Sequence, residues 1–307
     1  MINFVLRRLM SAIPTVFLVI TISFFLMRFA PGGPFDVERP FPPDIMANLM
    51  KTYHLDQPLW LQYLHYLANA VRGDFGPSFI YKDSTVAQLI AQALPYSIQL
   101  GGTALLIALV GGVILGTIAA LRQNGIIDFA LMSVSTIGIT VPNFVMGPVL
   151  TLIFALMLSW LPAGGWGDGS AYYLALPIAV LALPQVAVIA RLTRGSMIEA
   201  LHTDHIRTAR AYGLPSRTVV ITHALRGAML PVVSYLAPAA AALLTGSAVV
   251  ESIFTIPGVG RFFVIGALNR DYPLVMATVV LVAVFVIVFN LLVDVAYGLL
   301  DPRVRHD

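Results

Sequence analysis

The side chains able to do chemistry are few, and their spacing excludes most of it. Six histidines, His54, His65, His202, His205, His223 and His306, all fall outside the long apolar stretches. None forms a His-Glu-x-x-His set, and His202 with His205 lacks a nearby third ligand, so no metal site is expected. The chain has no cysteine, which removes disulfides, thiolate metal sites and a cysteine nucleophile. No Gly-x-x-x-x-Gly-Lys-Ser/Thr loop is present to cradle nucleotide phosphates, and Gly258-Val259-Gly260, with no strand before it, reads as a turn. A serine hydrolase would need a base beside its serine, and no apolar stretch holds a histidine.

Ionisable groups are also scarce in the apolar stretches. Asp294 lies near the inner end of the last stretch and Glu251 just past the fifth, where both are expected to reach the membrane interface. A proton- or ion-coupled carrier keeps a carboxylate or histidine at mid-depth. Without one, the driving energy is expected to come from elsewhere. The stretches carry proline and small residues instead: Pro142-Asn143 and Pro148, Pro177 and Pro184, Pro231 and Pro238 interrupt the third, fourth and fifth. Carbonyls freed by proline in a membrane must be buried or face water. Gly112-x-x-x-Gly116 and Ala242-x-x-x-Gly246 signal close helix packing, the ordinary use of such residues. Asn143, Gln185, Thr245 and Ser247 are the candidates to line a hydrated path.

The elements that must position these residues follow from composition. Of 307 residues, 58% are hydrophobic and 11% charged, against about 25% charged in a soluble domain. Mean hydropathy is +0.87. The chain therefore reads as an all-α integral membrane protein. Its net charge of +3 is too small an excess for nucleic-acid binding, which needs a clustered basic stripe.

A spanning helix takes about 20 apolar residues, and six are expected, at about 9–29, 96–121, 129–158, 171–191, 228–250 and 272–296. Pro95 suits a first helical position. Asp128 can cap the third helix, and Leu161-Pro162 with Gly164-Gly165 can stop it. Eleven arginines, from Arg7-Arg8 through Arg191 to Arg226 and on to Arg303 and Arg305, gather on one side, which puts both termini in the cytoplasm. Leu9 to Met27 exceeds the roughly 7–15-residue core of a secretory signal and reads as a retained helix.

Two hydrophilic segments remain. The outer loop, 31–95, holds a helical pattern with Trp60, Tyr63, Leu64, Leu67 and Val71 on one face. Asp56 or Gln57-Pro58 would open it and Gly73 would close it. This helix suits a lid at the headgroup level, or a docking surface for an external partner through Trp60, Tyr63 and Leu67. The inner connection, 192–226, offers Asp204 as an N-cap and Gly213-Leu214-Pro215 as a stop. Between them a helix of about two turns is expected from His205 to Tyr212, and Ser216 can cap another beyond. Ala209 and Ala211 keep the surface low enough for a protein to approach; a basic helix lying on anionic lipid also fits.

The inner connection carries a resemblance. Arg207-Thr-Ala-Arg-Ala-Tyr-Gly213-Leu, followed by His223-Ala-Leu-Arg226, resembles the cytoplasmic motif of permease subunits in binding-protein-dependent ABC importers. Ala209, Gly213 and Leu225 match the general motif. Arg207 stands where it has Glu, Thr208 where it has Ala, His223 for Ile and Arg226 for Pro. The Arg-Thr-Ala-Arg-Ala version is that of the B-type subunit in the peptide branch. Leu6-Arg7-Arg8, Gly73-Asp74-Phe75-Gly76, Thr193-Arg194-Gly195-Ser196-Met197, Asn269-Arg270-Asp271-Tyr272 and the run from Glu251 through Pro257-Gly258 to Gly260 agree with that branch almost end to end. Pro77-Ser78-Phe79 with Tyr81-Lys82-Asp83 is most similar to its oligopeptide members, although dipeptide, murein-peptide, glutathione and nickel systems share the frame.

The resemblance implies a type I ABC importer permease bundle with no catalytic residue and no cofactor of its own. It implies a coupling helix, from Asp204, His205, Arg207 and Thr208 through Ala209, Arg210, Ala211 and Tyr212 to Gly213 and Leu214, docked on an ATPase. The implied partners are a second homologous permease, two cytoplasmic ATPase subunits holding ATP and Mg, an extracytoplasmic peptide-binding protein, and the lipid bilayer of a bacterial inner membrane. An ion- or proton-coupled carrier is the alternative. A membrane-anchored enzyme or assembly factor finds no nucleophile–base pair in the outer loop.

Overall fold

A computed structural model describes residues 2–29, 50, 56–81 and 83–300, and the side chains of these except 2–9, 245 and 297–300. The elements among the described residues are helices, with α1 over Ile2–Phe29, α2 over Leu59–Val71, α3 over Val86–Leu121, α4 over Ile126–Thr140 and α5 over Asn143–Leu150. There follow α6 over Ala171–Leu201, α7 over Asp204–Ala211, α8 over Leu225–Ile253, α9 over Val259–Leu268 and α10 over Tyr272–Leu300. Five helices among the described residues (α1, α3, α6, α8 and α10) are long and apolar enough to cross a membrane, and α4 with α5 makes a sixth if counted as one broken span.

That break falls where Pro142-Asn143 was expected to interrupt the span over 129–158, and it divides the span into two helices. Val141 precedes Pro142, and the ring of proline disfavours helical backbone before it. Val141 is extended (φ −83°, ψ 117°), and the two segments meet at 106°. Beyond Pro148 the helix widens into π turns from Thr151 to Met157. Elsewhere proline does not interrupt. Pro177 and Pro184 lie inside the unbroken α6, and Pro231 and Pro238 inside α8, as a bundle allows when neighbours compensate the lost bond.

Helix starts also depart from expectation. Thr85 and Gln88 form a reciprocal capping box, Gln88 N–H to Thr85 Oγ1 at 3.3 Å and Thr85 N–H to Gln88 Oε1 at 3.0 Å. The helix therefore opens at Val86, and Pro95 lies inside it. At α4 the N-cap is Gly125, while Asp128, in the first turn, accepts the Asn124 N–H at 2.9 Å. The fourth span runs on to Leu201 instead of stopping at 191.

The core forms where α3, α6 and α8 meet, around Leu100, Leu181, Leu243 and Phe254. Two glycines bring α3 onto α6. A Cβ on Gly112 would lie 2.6 Å from Ile189 Cβ, and one on Gly116 would lie 2.4 Å from the Ala190 carbonyl. At 10 residues, α9 is only about 15 Å long, too short to cross a hydrocarbon layer of about 30 Å. It links the end of α8 to the start of α10 at the end of the bundle remote from α7.

Candidate docking helix and candidate path

Both ends of α7 are fixed by local chemistry. Its N-cap is Thr203, not Asp204: the Thr203 carbonyl accepts the Arg207 N–H at 3.1 Å, while its hydroxyl donates back to the Ala200 carbonyl at 2.6 Å. Asp204 is the first helical residue, an anion at the positive end of the helix. At the other end Leu214 N–H reaches Ala209 O at 3.3 Å and Gly213 N–H reaches Arg210 O at 2.9 Å. This is a Schellman stop, and it sets Gly213 at φ +75°, a left-handed geometry suited to glycine.

Among the described residues, one face of α7 is anchored and the other exposed. Ile206 and Ala209 are buried among Ala120 of α3, Met197 of α6 and Val219, Ala224 and Ala228 at the entrance to α8. Ala209 is therefore a seating residue, which corrects its expected place on the outer surface. His205, Arg207, Thr208, Arg210, Ala211 and Tyr212 are exposed, Tyr212 by 83%. Asp204 and Arg207 pair at 3.6 Å with both side chains in the open, a weak link. Arg210 and Arg217 are exposed as well, so the outer surface is basic.

Of the candidate path residues, Asn143, Gln185 and Ser247 have different immediate surroundings. Asn143 opens α5 with its Nδ2 2.9 Å from where a Cβ on Gly246 would lie. Gln185 is buried on α6 and accepts the Tyr235 hydroxyl at 2.9 Å. Ser247 faces a separate apolar cleft of about 390 Å³ between α3, α8, α9 and α10, bordered also by Ser97, Gly101, Gly102 and Phe285. Thr245 belongs to α8, and its side chain is outside the described residues.

On α2 the apolar row splits. Tyr63 turns to α1, where its hydroxyl meets Thr21 Oγ1 at 2.7 Å and its ring lies edge-on to Phe24 at 5.4 Å. Leu67 is half-buried, while Trp60, Leu64 and Val71 stay exposed. The helix opens at Leu59 after Pro58, with Gly73 beyond its end at φ +76°.

Sequence reasoning missed two buried carboxylates. Glu251, expected at the interface, is fully buried in the last turn of α8. Its oxygens accept the Ser97 hydroxyl at 2.8 Å, the Arg261 N–H at 3.1 Å and the Gly260 N–H, at the N-terminus of α9. The signal was the Gly258-x-Gly260 pair: a Cβ on Gly258 would lie 2.3 Å from Glu251 Oε2. Asp271, also fully buried, accepts the Leu274 N–H at 3.2 Å and so caps α10. Its other oxygen accepts Ser78 Oγ–H, Phe79 N–H at 3.1 Å and Ile80 N–H at 3.3 Å. Both carboxylates are satisfied by hydroxyls and backbone amides, and they hold together segments far apart in sequence.

Long apolar helices joined through a short anchored helix with a basic outer face define the class of multi-pass, all-helical membrane proteins. Residues 112–306 match the family described as the binding-protein-dependent transport system inner membrane component, and residues 1–101 match the corresponding N-terminal family. The chain belongs to this family. It is 54% identical over 306 residues to the oligopeptide transport system permease protein OppB of Haemophilus influenzae, covering 100% of both chains. It is 51% identical to OppB of Escherichia coli K12, again over 100% of both. The dipeptide transport system permease protein DppB of Bacillus subtilis is 44% identical over 99% of this chain and 98% of that relative. The readings as an ion-coupled carrier and as a membrane-anchored enzyme give way to membership in this family of multi-pass inner-membrane transport components.

Proposed function

We propose that this chain is the B-type permease subunit of an ATP-driven importer of oligopeptides. What supports it is α7: an amphipathic helix of eight residues seated through Ile206 and Ala209, with Arg207, Thr208, Arg210, Ala211 and Tyr212 turned outward, in a chain similar over its whole length to oligopeptide permeases. In this reading the outer face of α7 occupies a groove on a cytoplasmic ATPase subunit, which holds the ATP and Mg. Closure of two such subunits displaces α7 and rocks the bundle between inward- and outward-facing states. Both termini lie in the cytoplasm, a second homologous permease completes the path, and a binding protein delivers peptide near the exposed Trp60 end of α2. Asn143, Gln185, Thr245 and Ser247 are placed along the path in the same reading.

Gly213 provides the test. Among the described residues, nothing beyond its two neighbours in the chain lies within 4 Å of where its Cβ would be, so the packing of this chain does not block the start of a side chain there. Left-handed backbone strain of about 1–2 kcal/mol is common to Gly213→Ala and Gly213→Arg. In the reconstituted complex, Gly213→Ala should retain most peptide uptake, whereas Gly213→Arg should remain assembled and lose it. Normal uptake by the arginine variant would sink the assignment of α7. Dipeptide permeases are also among the relatives, and competition of labelled uptake by dipeptides against longer peptides separates the two substrate classes.

A further inference from the structure

The displacement of α7 has to reach the rest of the bundle, and the packing shows where it can. Met197 of α6 lies directly behind Ile206 and Ala209, four residues before α6 ends at Leu201. Along α6, Gly112 and Gly116 bring α3 into contact with its backbone. These close contacts make α3 and α6 one stiff unit.

Helix α4 has less to hold it. Ile126, Phe129, Val134 and Ile137 are exposed, and only Asp128 and Ser135 are buried. Its tie to α6 combines close packing at Gly138 with polar contacts. Asp128, 3% exposed, accepts both Nε and Nη2 of Arg194, the latter at 2.6 Å. A bidentate pair of this kind fixes direction as well as distance. Farther along, Arg191 Nη2 donates to Thr136 Oγ1 at 3.2 Å. Past Thr140 the chain turns by 106°, so α4 is separated from α5 by a natural pivot.

We propose that Asp128 and Arg194 are positioning residues for transport: their pair makes α4 travel with α6 when α7 is displaced. This rests on the coupling role given to α7 above. The pair's work is to carry motion into the helix that precedes the break.

The absence of cysteine from the chain allows a covalent substitute for the pair. A Cβ on Gly138 of α4 would lie 3.5 Å from Ala187 Cβ of α6, within disulfide range. Three variants are compared in the reconstituted importer, with peptide uptake per ATP hydrolysed as the readout. Gly138→Cys with Ala187→Cys, oxidised in the otherwise unaltered chain, should transport at close to the normal ratio, because the helices it ties already move together. Asp128→Leu with Arg194→Met leaves no buried charge unpaired. It should assemble and hydrolyse ATP, with its ratio lowered about tenfold. The combined variant should recover the ratio on oxidation and lose it on reduction. Arrest of transport by the disulfide alone overturns the proposal, and that outcome does not depend on how well the apolar pair folds. A normal ratio in the apolar pair also overturns it, leaving Asp128 and Arg194 a structural role. Gly213→Arg runs beside these variants. If it transports normally, the coupling role of α7 fails; if it alone is uncoupled, only the pair's role fails.

Discussion

Ser97 and Glu251, 154 residues apart in the chain, are joined by a hydrogen bond of 2.8 Å. The same serine oxygen accepts the Val259 N–H at 2.9 Å. One hydroxyl thus ties α3 to the end of α8 and to the first turn of α9.

The Ser97→Ala variant should therefore be destabilised beyond the loss of one ordinary hydrogen bond. It leaves the Val259 amide without its acceptor and removes a donor from a buried carboxylate, at about 1–3 kcal/mol for each group left unsatisfied. Thermal unfolding of the purified complex should show a lower midpoint for Ser97→Ala and a smaller change for Ser97→Thr, which keeps the oxygen. Equal midpoints for alanine and the unaltered chain would contradict the tie.

Asp271 makes a different prediction, one of local order. Ser78 Oγ, held by Asp271, itself accepts the Tyr81 N–H at 2.9 Å and the Ile80 N–H at 3.1 Å. Asp271→Ala removes the acceptor on which this turn is built. Amide hydrogen exchange at Phe79, Ile80 and Tyr81 should accelerate by at least tenfold, a change of about 1.4 kcal/mol in local opening. Residues 204–214, at the far end of the bundle, should exchange as before.

What the sequence could and could not reveal has a physical pattern. Apolar runs declare spans because the membrane demands them, and Pro142 declares a break because its ring acts on the residue before it. The 106° angle is set by packing against α6 and α8, which no local pattern encodes. The short helix α7 was legible because its ends carry chemical signals: Asp204, one residue past the true cap at Thr203, and Gly213 at the other end. The burial of Ala209 depends on Met197 and Val219 arriving from other elements, so it was not. Glu251 was misplaced for a related reason. A charge after an apolar run normally marks the interface, but α9 folds back and brings its N–H groups to this one. The surroundings of Asp128 were equally hidden, since its partner Arg194 lies 66 residues away.

Glycines in the spans separate into two kinds, and substitution should expose the difference. Gly116 packs where a Cβ would lie 2.4 Å from the Ala190 carbonyl and 2.6 Å from Thr193 Cβ. Neither atom is the tip of a flexible side chain, so Gly116→Ala must push α3 and α6 apart. Overpacking of this kind costs about 1–3 kcal/mol, and the misfit falls in the unit that backs α7. Gly101, on the same helix, faces the cleft between α3, α8, α9 and α10, and its Cβ would meet nothing within 4 Å. Here alanine adds no clash and removes backbone freedom from the unfolded chain, which is neutral or mildly stabilising. Thermal midpoints of the complex should therefore fall for Gly116→Ala and hold or rise for Gly101→Ala. A similar fall for both would mean that another subunit fills the cleft beside Gly101, and no fall for Gly116→Ala would show that α3 and α6 are not in backbone contact.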